Sequence, residues 1–435
     1  MQNIDILIKN CTILTMKQKE PIKDGIIAIK NGKITFVGKE RKKDNFKAER
    51  EIDAKFKVAL PGLINCHTHV AMTIFRGIAE DKELNSWLKE TIWPLEAKLK
   101  PEDVYHGTLL GCLEMIKTGT TCFVDMYFYE DAVAKAVKEL GLRAVLAPGI
   151  LSTGLSTSGQ QMLESAIEIY RKFHGTASGR LNVWFGPHAV YSCDKQTLIS
   201  VMEAAKKLNT GLHIHLAESA EMAEKIRLEL GISEVGLLHE IGFLAKNVLA
   251  AHCIHLSKND IELLAKHDVK IAYNPVANMK LAQGTAKIKE MLDFGITVGL
   301  GTDGPASNNS LDMFETMKIA ALLQKLAYKD PRVLPAWQVL KMATVDAAKA
   351  LGLESEIGSI EAGKKADIIL LDFKKPHLTP IHDFYANIVY SARGSDVDTV
   401  IVDGKVLMEN REVIVADEEE IIRKAEKTAL DIVNR

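Results

Sequence analysis

The sequence lacks the features of several large protein classes. Its six cysteines are scattered, none forms a Cys-x-x-Cys pair, and no run approaches the roughly 20 apolar residues that span a bilayer. The net charge of -2 and the pI near 6.7 leave no strongly basic surface. These absences argue against a disulfide framework, a membrane protein and a nucleic-acid partner. The first ten residues also lack the charged start, long apolar core and cleavage site of a signal peptide, so we expect a cytoplasmic protein.

The two ends of the chain read as strands and turns. Asn31-Gly32 lies between alternating apolar segments, which is the strongest short hairpin signal. After about residue 355 strands return, with a second hairpin over 399–406 and then a charged helix. With 435 residues the chain has room for a large domain and a smaller one. We therefore predict that residues 1–58 and 356–435 form a composite β-sandwich domain.

Residues 59–355 follow a different rhythm of apolar strand, polar loop and amphipathic helix. Eight such strands are predicted over 62–66, 121–126, 144–150, 181–186, 211–216, 248–252, 270–273 and 297–301. Helices are predicted over 105–117, 131–140, 200–208 and 311–326. Apolar strands alternating with helices indicate a parallel sheet, and eight of them indicate closure. This pattern predicts an α/β fold with a (β/α)8 TIM barrel as the catalytic domain.

The first barrel strand ends in His67 and His69. Because side chains on a strand repeat with period two, both imidazoles project to the same side. Imidazole is a common ligand of zinc and related ions, so this pair needs only one or two partners to complete a metal site. The alternative is a chance pair that bonds water or backbone.

Polar residues also end other predicted strands, where the active sites of such barrels lie. Of the 13 histidines, seven fall at four strand ends, and two carboxylates accompany them: His67, His69, His188, His213, His215, His252 and His255, with Glu218 and Asp303. Chance would have scattered the histidines over helices and loops. The remaining six we interpret as structural or surface residues.

Three of these positions admit alternatives. His213 and His215 share one face of their strand, and we prefer His215 as the ligand because it lies nearer the strand end and Glu218. Asp303 fits a metal ligand or proton acceptor better than the cap of the next helix. His252 is interpreted as a residue that orients the nucleophile, with direct metal ligation as the alternative.

Taken in order, the motifs of the chain resemble the amidohydrolase superfamily, and within it the deaminases of 5'-methylthioadenosine and S-adenosylhomocysteine. The matching stretches cover nearly the whole chain: Pro61-Gly62-Leu63-Ile64-Asn65-Cys66-His67-Thr68-His69, Arg76-Gly77-Ile78-Ala79-Glu80-Asp81, Trp93-Pro94-Leu95-Glu96, Phe123-Val124-Asp125-Met126-Tyr127, Phe185-Gly186-Pro187-His188, His213-Ile214-His215-Leu216-Ala217-Glu218, Ala251-His252-Cys253 and Gly301-Thr302-Asp303-Gly304-Pro305-Ala306-Ser307-Asn308-Asn309.

The resemblance implies one divalent ion per subunit, expected to be Zn²⁺, held by His67, His69, His215 and Asp303. The segment 181–186 carries no lysine that could bridge two metals, which favours a mononuclear site. Asp303 is then expected to accept the proton of the attacking water, which His252 orients. Glu218 is expected to protonate N1 of the purine and then to pass a proton to departing ammonia.

The same resemblance assigns the ribose hydroxyls to Glu96 and a nucleoside contact to His188. For Glu96 the alternative is a solvated helix residue. One departure bears on the substrate, because many relatives carry an arginine where this chain has Pro148. The loop 152–160 is also without positive charge. We therefore expect weaker use of S-adenosylhomocysteine than of methylthioadenosine, 5'-deoxyadenosine or adenosine.

Two other functions stay open. Guanine deaminases and s-triazine chlorohydrolases share the metal motifs, so hydrolysis of another heteroaromatic ring is the main alternative. A metal-binding scaffold without activity is the other, although Glu218, His252 and Asp303 exceed what a structural site needs. A small-molecule nucleoside is the expected partner, and assembly into a homo-oligomer is compatible with the resemblance.

Overall fold

The computed structural model describes residues 2–39, 46–152 and 158–435, and its centre is a set of eight parallel strands. They form two four-stranded sheets in which neighbours in the chain are neighbours in space. The first sheet contains Leu63–Thr68, Thr120–Asp125, Arg143–Leu146 and Leu181–Val183. The second contains Leu212–Leu216, Val248–His252, Lys270–Tyr273 and Val298–Leu300. All eight predicted parallel strands are therefore present.

Backbone hydrogen bonds join the two sheets at both of their edges. At one edge the amide of Asp303 donates to the carbonyl of His67 over 2.9 Å. At the other, the amide of Phe185 donates to Gly211 over 3.0 Å, and the amide of His213 donates to Phe185 over 2.9 Å. The first and fourth strands are thus linked to the eighth and fifth.

The third and fourth strands are interrupted where the sequence predicted continuous ones. The third splits into Arg143–Leu146 and Gly149–Ile150, and the fourth into Leu181–Val183 and Gly186–Pro187. Pro148 has no amide hydrogen for the ladder, which interrupts the third strand. The short second pieces pair with each other.

Helices follow the parallel strands and cover them. The four predicted helices are Pro101–Lys117, Glu130–Leu140, Lys195–Leu208 and Met313–Tyr328. The other α-helices and helical turns are Leu84–Ser86, Trp93–Glu96, Gly159–Phe173, Thr176–Gly179, Ala220–Leu230, Glu234–Glu240, Lys258–Lys266, Pro275–Lys280, Ile288–Asp293, Pro305–Asn308, Ala336–Met342, Val345–Ala350, Phe384–Tyr390 and Glu418–Asn434. A π-helix spans Trp87–Ile92, and 3₁₀ turns span Val70–Phe75, Pro376–Leu378 and Gly394–Asp396.

Both ends of the chain contribute to one nine-stranded mixed sheet. From the N-terminal side come Gln2–Ile13, Ile22–Lys30, Lys33–Lys39, Phe46–Asp53 and Lys57–Pro61. From the C-terminal side come Ile368–Asp372, Val397–Val402, Lys405–Glu409 and Glu412–Val413. The strand Lys57–Pro61 pairs antiparallel with Ile368–Asp372, so the two β-rich ends pair as expected.

The two predicted hairpins meet at their turns. Asn31-Gly32 and Asp403-Gly404 have positive φ at both residues, between 49° and 75°, as two-residue hairpin turns require. A Cβ atom on Gly404 would lie 2.6 Å from the Cα of Gly32, so the close approach of the turns excludes a side chain there. The ends of the chain are therefore joined through turn backbone as well as through the sheet.

All six cysteines are buried and unpaired. Within the described ranges, no helix is long and apolar enough to cross a membrane.

A buried ion pair ties the parallel strands to the nine-stranded sheet. The guanidinium of Arg143, on the third parallel strand, contacts both carboxylate oxygens of Asp367 at 2.9 and 3.2 Å. Asp367 also accepts the amide of Asp403 at 2.7 Å. Both side chains are at most 3% exposed, so neither charge has water to replace its partner.

We predict that Asp367→Ala destabilises the fold by about 3–5 kcal/mol, because it leaves the Arg143 guanidinium buried and uncompensated. Urea unfolding followed by circular dichroism measures the change. Glu229→Ala is the matched control, because it removes an ion pair whose side chains are 62% and 60% exposed, and little change is expected. Equal stability of the two variants would show that the ion pair of Arg143 and Asp367 does not stabilise the fold.

Candidate metal and active site

The carboxyl ends of the first, fifth and eighth parallel strands bring four predicted ligands together. His67 and His69 come from the end of Leu63–Thr68, His215 from Leu212–Leu216, and Asp303 follows Val298–Leu300. Oδ1 of Asp303 lies 3.2 Å from Nε2 of both His67 and His69. Nε2 of His215 lies 3.4 Å from Nε2 of His69. The four side chains therefore face one small volume.

The proton positions of two of these imidazoles follow from their partners. Nδ1 of His69 donates to the carbonyl of Met126 over 2.6 Å, and Nδ1 of His215 donates to the carbonyl of His188 over 2.8 Å. A carbonyl only accepts, so in each ring Nδ1 carries the hydrogen. In its neutral form each ring then presents an unprotonated Nε2, the form that binds a metal.

The donor set fits a divalent ion. Two overlapping groups have ligand atoms within 4.8 Å of one another: His67, His69 and Asp303, and His67, His215 and His252. Imidazole nitrogen and carboxylate oxygen are the ligands of catalytic zinc sites. Nε2 of His67 is buried and makes no well-directed hydrogen bond, although Asp303 lies near it. A bound cation would satisfy that atom.

The ionised carboxylate of Asp303 gives the cluster a negative charge that a cation can bind. Burial disfavours the ionised form of Asp303, yet the imidazoles of His67 and His69 outweigh it and hold the pKa of that carboxyl well below its usual range. Burial likewise opposes protonation of His69, but Asp303 raises the pKa of His69 to about 9. A metal ion takes the place of that proton.

His252 and Glu218 lie beside the cluster. Nδ1 of His252 donates to Oδ1 of Asn278 over 2.9 Å, so Nε2 is directed towards the site, 3.8 Å from Oε1 of Glu218. The side chain of Glu218 is 11% exposed. Burial raises the pKa of Glu218 and His252 opposes that rise. A raised pKa favours the protonated form, which a general acid needs.

A mainly apolar cavity opens against His69, and both predicted substrate contacts line it. Its walls are His69, Met72, Trp87, Leu88, Ile92, Trp93, Glu96, Met126, Tyr127, Phe128, Gly149, Leu151 and His188. Burial raises the pKa of Glu96 to about 7, opposed by the nearby Tyr127 hydroxyl and by His69. Glu96 is partly buried on the cavity wall, which favours a substrate contact over a solvated helix residue.

All eight predicted site residues thus gather at one end of the parallel strands, and the structure adds others that were not among these eight. Trp87 and Tyr127 line the cavity. Oγ of Ser307 donates to Oδ2 of Asp303 over 2.6 Å, and His213 lies behind His67. Ser307 and His213 belong to motifs quoted above, but only the distances show what each contacts.

Residues that follow Pro148 contribute to the cavity wall. Gly149 and Leu151 lie on the cavity wall, and no lysine or arginine of the described chain lines it. Residues 153–157 of the loop that was expected to lack positive charge lie outside the described residues.

A cluster of histidine and aspartate at the carboxyl ends of parallel strands, beside a cavity with buried carboxyl groups, defines a metal-dependent hydrolase. The chain belongs to the amidohydrolase family, whose model matches residues 58–407.

Three similar proteins are named as deaminases of adenosine-type nucleosides. The chain is 50% identical to 5'-deoxyadenosine deaminase of Methanosarcina acetivorans over 99% of both chains. It is 48% identical to 5-methylthioadenosine/S-adenosylhomocysteine deaminase of Desulforudis audaxviator, over 98% of this chain and 99% of the relative. Among solved structures, an adenosine deaminase from Xanthomonas campestris with bound zinc superposes with a TM-score of 0.96 at 31% identity, over the whole of both chains.

We predict that His67→Ala abolishes stoichiometric metal binding, because His67 belongs to both groups of candidate ligands. Elemental analysis after dialysis against a zinc buffer measures the bound ion. His239→Ala, on the outer helix Glu234–Glu240, is the control and should keep the wild-type content. Full retention of zinc by the His67 variant would exclude this cluster as the metal site.

Proposed function

We propose that the protein is a metal-dependent hydrolytic deaminase of 5'-modified adenosines. It converts the 6-amino group of methylthioadenosine, 5'-deoxyadenosine, S-adenosylhomocysteine or adenosine to the inosine analogue and releases ammonia. The observation that carries this proposal is Glu218, a buried carboxyl with a raised pKa at the edge of the histidine and aspartate cluster. The names of relatives that match the whole chain supply the class of substrate.

His67, His69, His215 and Asp303 would hold one divalent ion per subunit. Zinc is the expected ion, since the solved adenosine deaminase that resembles this chain contains zinc. When bound, such an ion lowers the pKa of a water molecule towards about 7 and so supplies hydroxide at neutral pH.

The chain's own residues handle the protons. Asp303, ionised in its buried place, accepts the proton that the attacking water releases. His252, fixed by Asn278, orients that water towards C6 of the purine. Glu218 gives a proton to N1, which makes C6 electrophilic, and then transfers a proton to the departing ammonia.

The cavity beside His69 binds the nucleoside. Glu96 accepts hydrogen bonds from the ribose hydroxyls, and His188, which also lines the cavity, contacts the nucleoside. The 5' substituent meets an apolar surface, which favours a hydrogen, a hydroxyl or a methylthio group over a charged tail.

The architecture that supports this site is proposed to have two parts. Residues 59–355 form a closed (β/α)8 barrel, for which the hydrogen bonds that join the two sheets are the support. Residues 1–58 and 356–435 form a composite β-sandwich, supported by an apolar core shared between strands of both chain ends, including Ile8, Ile27 and Ile368. Lys57–Pro61 crosses the boundary between the two. The buried free thiols favour a reducing compartment, and a homo-oligomer stays a prediction.

Hydrolysis of a guanine or s-triazine ring is the less favoured function. The full-length relatives near 50% identity carry adenosine-type deaminase names. Assays of ammonia release with adenine nucleosides, guanine and chlorotriazines separate the two functions.

We predict that Glu218→Gln lowers kcat by roughly 10²–10⁴-fold, because the amide cannot carry the proton to N1. Zinc content and melting temperature should stay at wild-type values, since Glu218 is not among the proposed ligands. Glu221→Gln, three residues further on and exposed, is the control and should leave kcat unchanged. A fully active Glu218 variant would remove this residue from the mechanism.

We predict that kcat/KM is lowest for S-adenosylhomocysteine among the four nucleosides, because no lysine or arginine of the described cavity wall pairs with its carboxylate. Loss of adenine absorbance measures each rate under identical conditions. A clear preference for S-adenosylhomocysteine would contradict an apolar 5' subsite, while leaving deamination itself established.

A further inference from the structure

Behind His67 lies a second histidine that the proposed mechanism does not use. Nδ1 of His67 lies 2.8 Å from Nε2 of His213, and Nδ1 of His213 lies 2.9 Å from the carbonyl oxygen of Leu249. Both imidazoles are 0% exposed, so water cannot substitute for either contact. The three groups form a buried relay that crosses from the first strand to the fifth and then to the sixth.

The Leu249 carbonyl at the end of the relay fixes the direction of both hydrogen bonds. A carbonyl oxygen only accepts, so Nδ1 of His213 carries a hydrogen and donates it to Leu249. Nε2 of a neutral His213 is then an acceptor, and Nδ1 of His67 must donate to it. His67 is left with an unprotonated Nε2, which is the atom that faces His69 and Asp303.

If His213 were charged, both of its nitrogens would donate, so Nδ1 of His67 would have to accept and the hydrogen of a neutral His67 would lie on Nε2. No ion pair of His213 is present in the described part of the chain, where its two contacts are an imidazole and a carbonyl. A buried imidazolium without a counter-ion is costly, so the neutral ring is the stable one.

Of the three ligand histidines, only His67 has a side chain as the partner of its Nδ1. His69 and His215 donate directly to the backbone carbonyls of Met126 and His188, and so adopt the same tautomer without help. His67 lies deeper on its strand, and its Nδ1 meets the His213 ring in place of a carbonyl. His213 is therefore the one tautomer-setting group of the three that a mutation can remove.

We propose that His213 is a positioning residue that fixes His67 in the tautomer offering Nε2 to the metal. The pair His213 and His215 then divides two tasks along one strand face: the outer ring binds the ion, and the inner ring orients a ligand of another strand. This inference rests on the proposed ligand set.

The test compares zinc affinity in three variants by competition with a chromophoric chelator. His213→Phe fills the space without an acceptor, and we expect it to weaken zinc binding by roughly 10–100-fold, as loss of a partner behind a ligating histidine does. His213→Gln offers an amide oxygen to His67 and an NH₂ group to Leu249, and we expect it to recover most of the affinity. His239→Phe is the control and should bind like the wild type.

Each outcome decides the matter. Unchanged zinc affinity in His213→Phe, with an active wild type, overturns the relay and leaves the deaminase function standing. A wild type that binds no zinc overturns the ligand set itself. If His213→Phe fails to fold, the wild type alone still answers. Long-range ¹H–¹⁵N spectra of the metal-free protein should show the ring hydrogen of His67 on Nδ1, where no ion can impose it, and a hydrogen on Nε2 refutes the proposal.

Discussion

The hydrogen bond from the amide of Asp303 to the carbonyl of His67 links the fold to the site. It joins the eighth parallel strand to the first, and the residues that make it are two of the proposed ligands. The same pair is in contact through its side chains, with Oδ1 of Asp303 3.2 Å from Nε2 of His67. The contact that joins the two sheets therefore also brings two ligands of the proposed cation site together. This arrangement positions ligands on rigid strands, where small displacements are strongly resisted.

Three residues at the ends of the parallel strands have strained backbone conformations. Ala217, His252 and Asp303 all have positive φ, at 49°, 71° and 63°, which non-glycine residues rarely adopt. Such strain persists only where the surroundings over-determine it. Around Asp303 the side chain of Asn65 bonds Thr302, and the hydroxyl of Thr68 donates to the carbonyl of Asp303. The turn that aims the carboxylate is thus fixed by polar side chains of the first strand.

Much of this could be predicted from the sequence, because it depends on local periodicity. The eight parallel strands, the hairpins at Asn31-Gly32 and Asp403-Gly404, and the gathering of histidines at strand ends follow from alternation and turn chemistry. What could not be predicted depends on neighbours distant in the chain. The 2.8 Å contact between His67 and His213 joins residues 146 positions apart in the chain. The π-helix Trp87–Ile92, which lines the cavity, has no characteristic spacing of apolar residues that would identify it in the sequence. The split third strand was missed because the alternation of apolar residues outweighed the missing donor of Pro148.

Burial and neighbouring charges shift the pKa values of two carboxyl groups of the site in opposite directions. Asp303 stays ionised because two imidazoles outweigh the cost of burial. At Glu218, which lies 3.8 Å from His252, burial and the charge of Asp303 raise the pKa despite the opposing effect of His252 and His69. A hydrolytic deamination needs both states at one pH: an ionised group to take the proton of water, and a proton-carrying group to give one to the ring. Asp303 contacts two imidazoles, whereas Glu218, among the described residues, makes no such close contact and lies near the charge of Asp303. In the proposed mechanism, the positions of the two carboxyl groups at the strand ends therefore separate the base from the acid, although both groups are carboxylic acids.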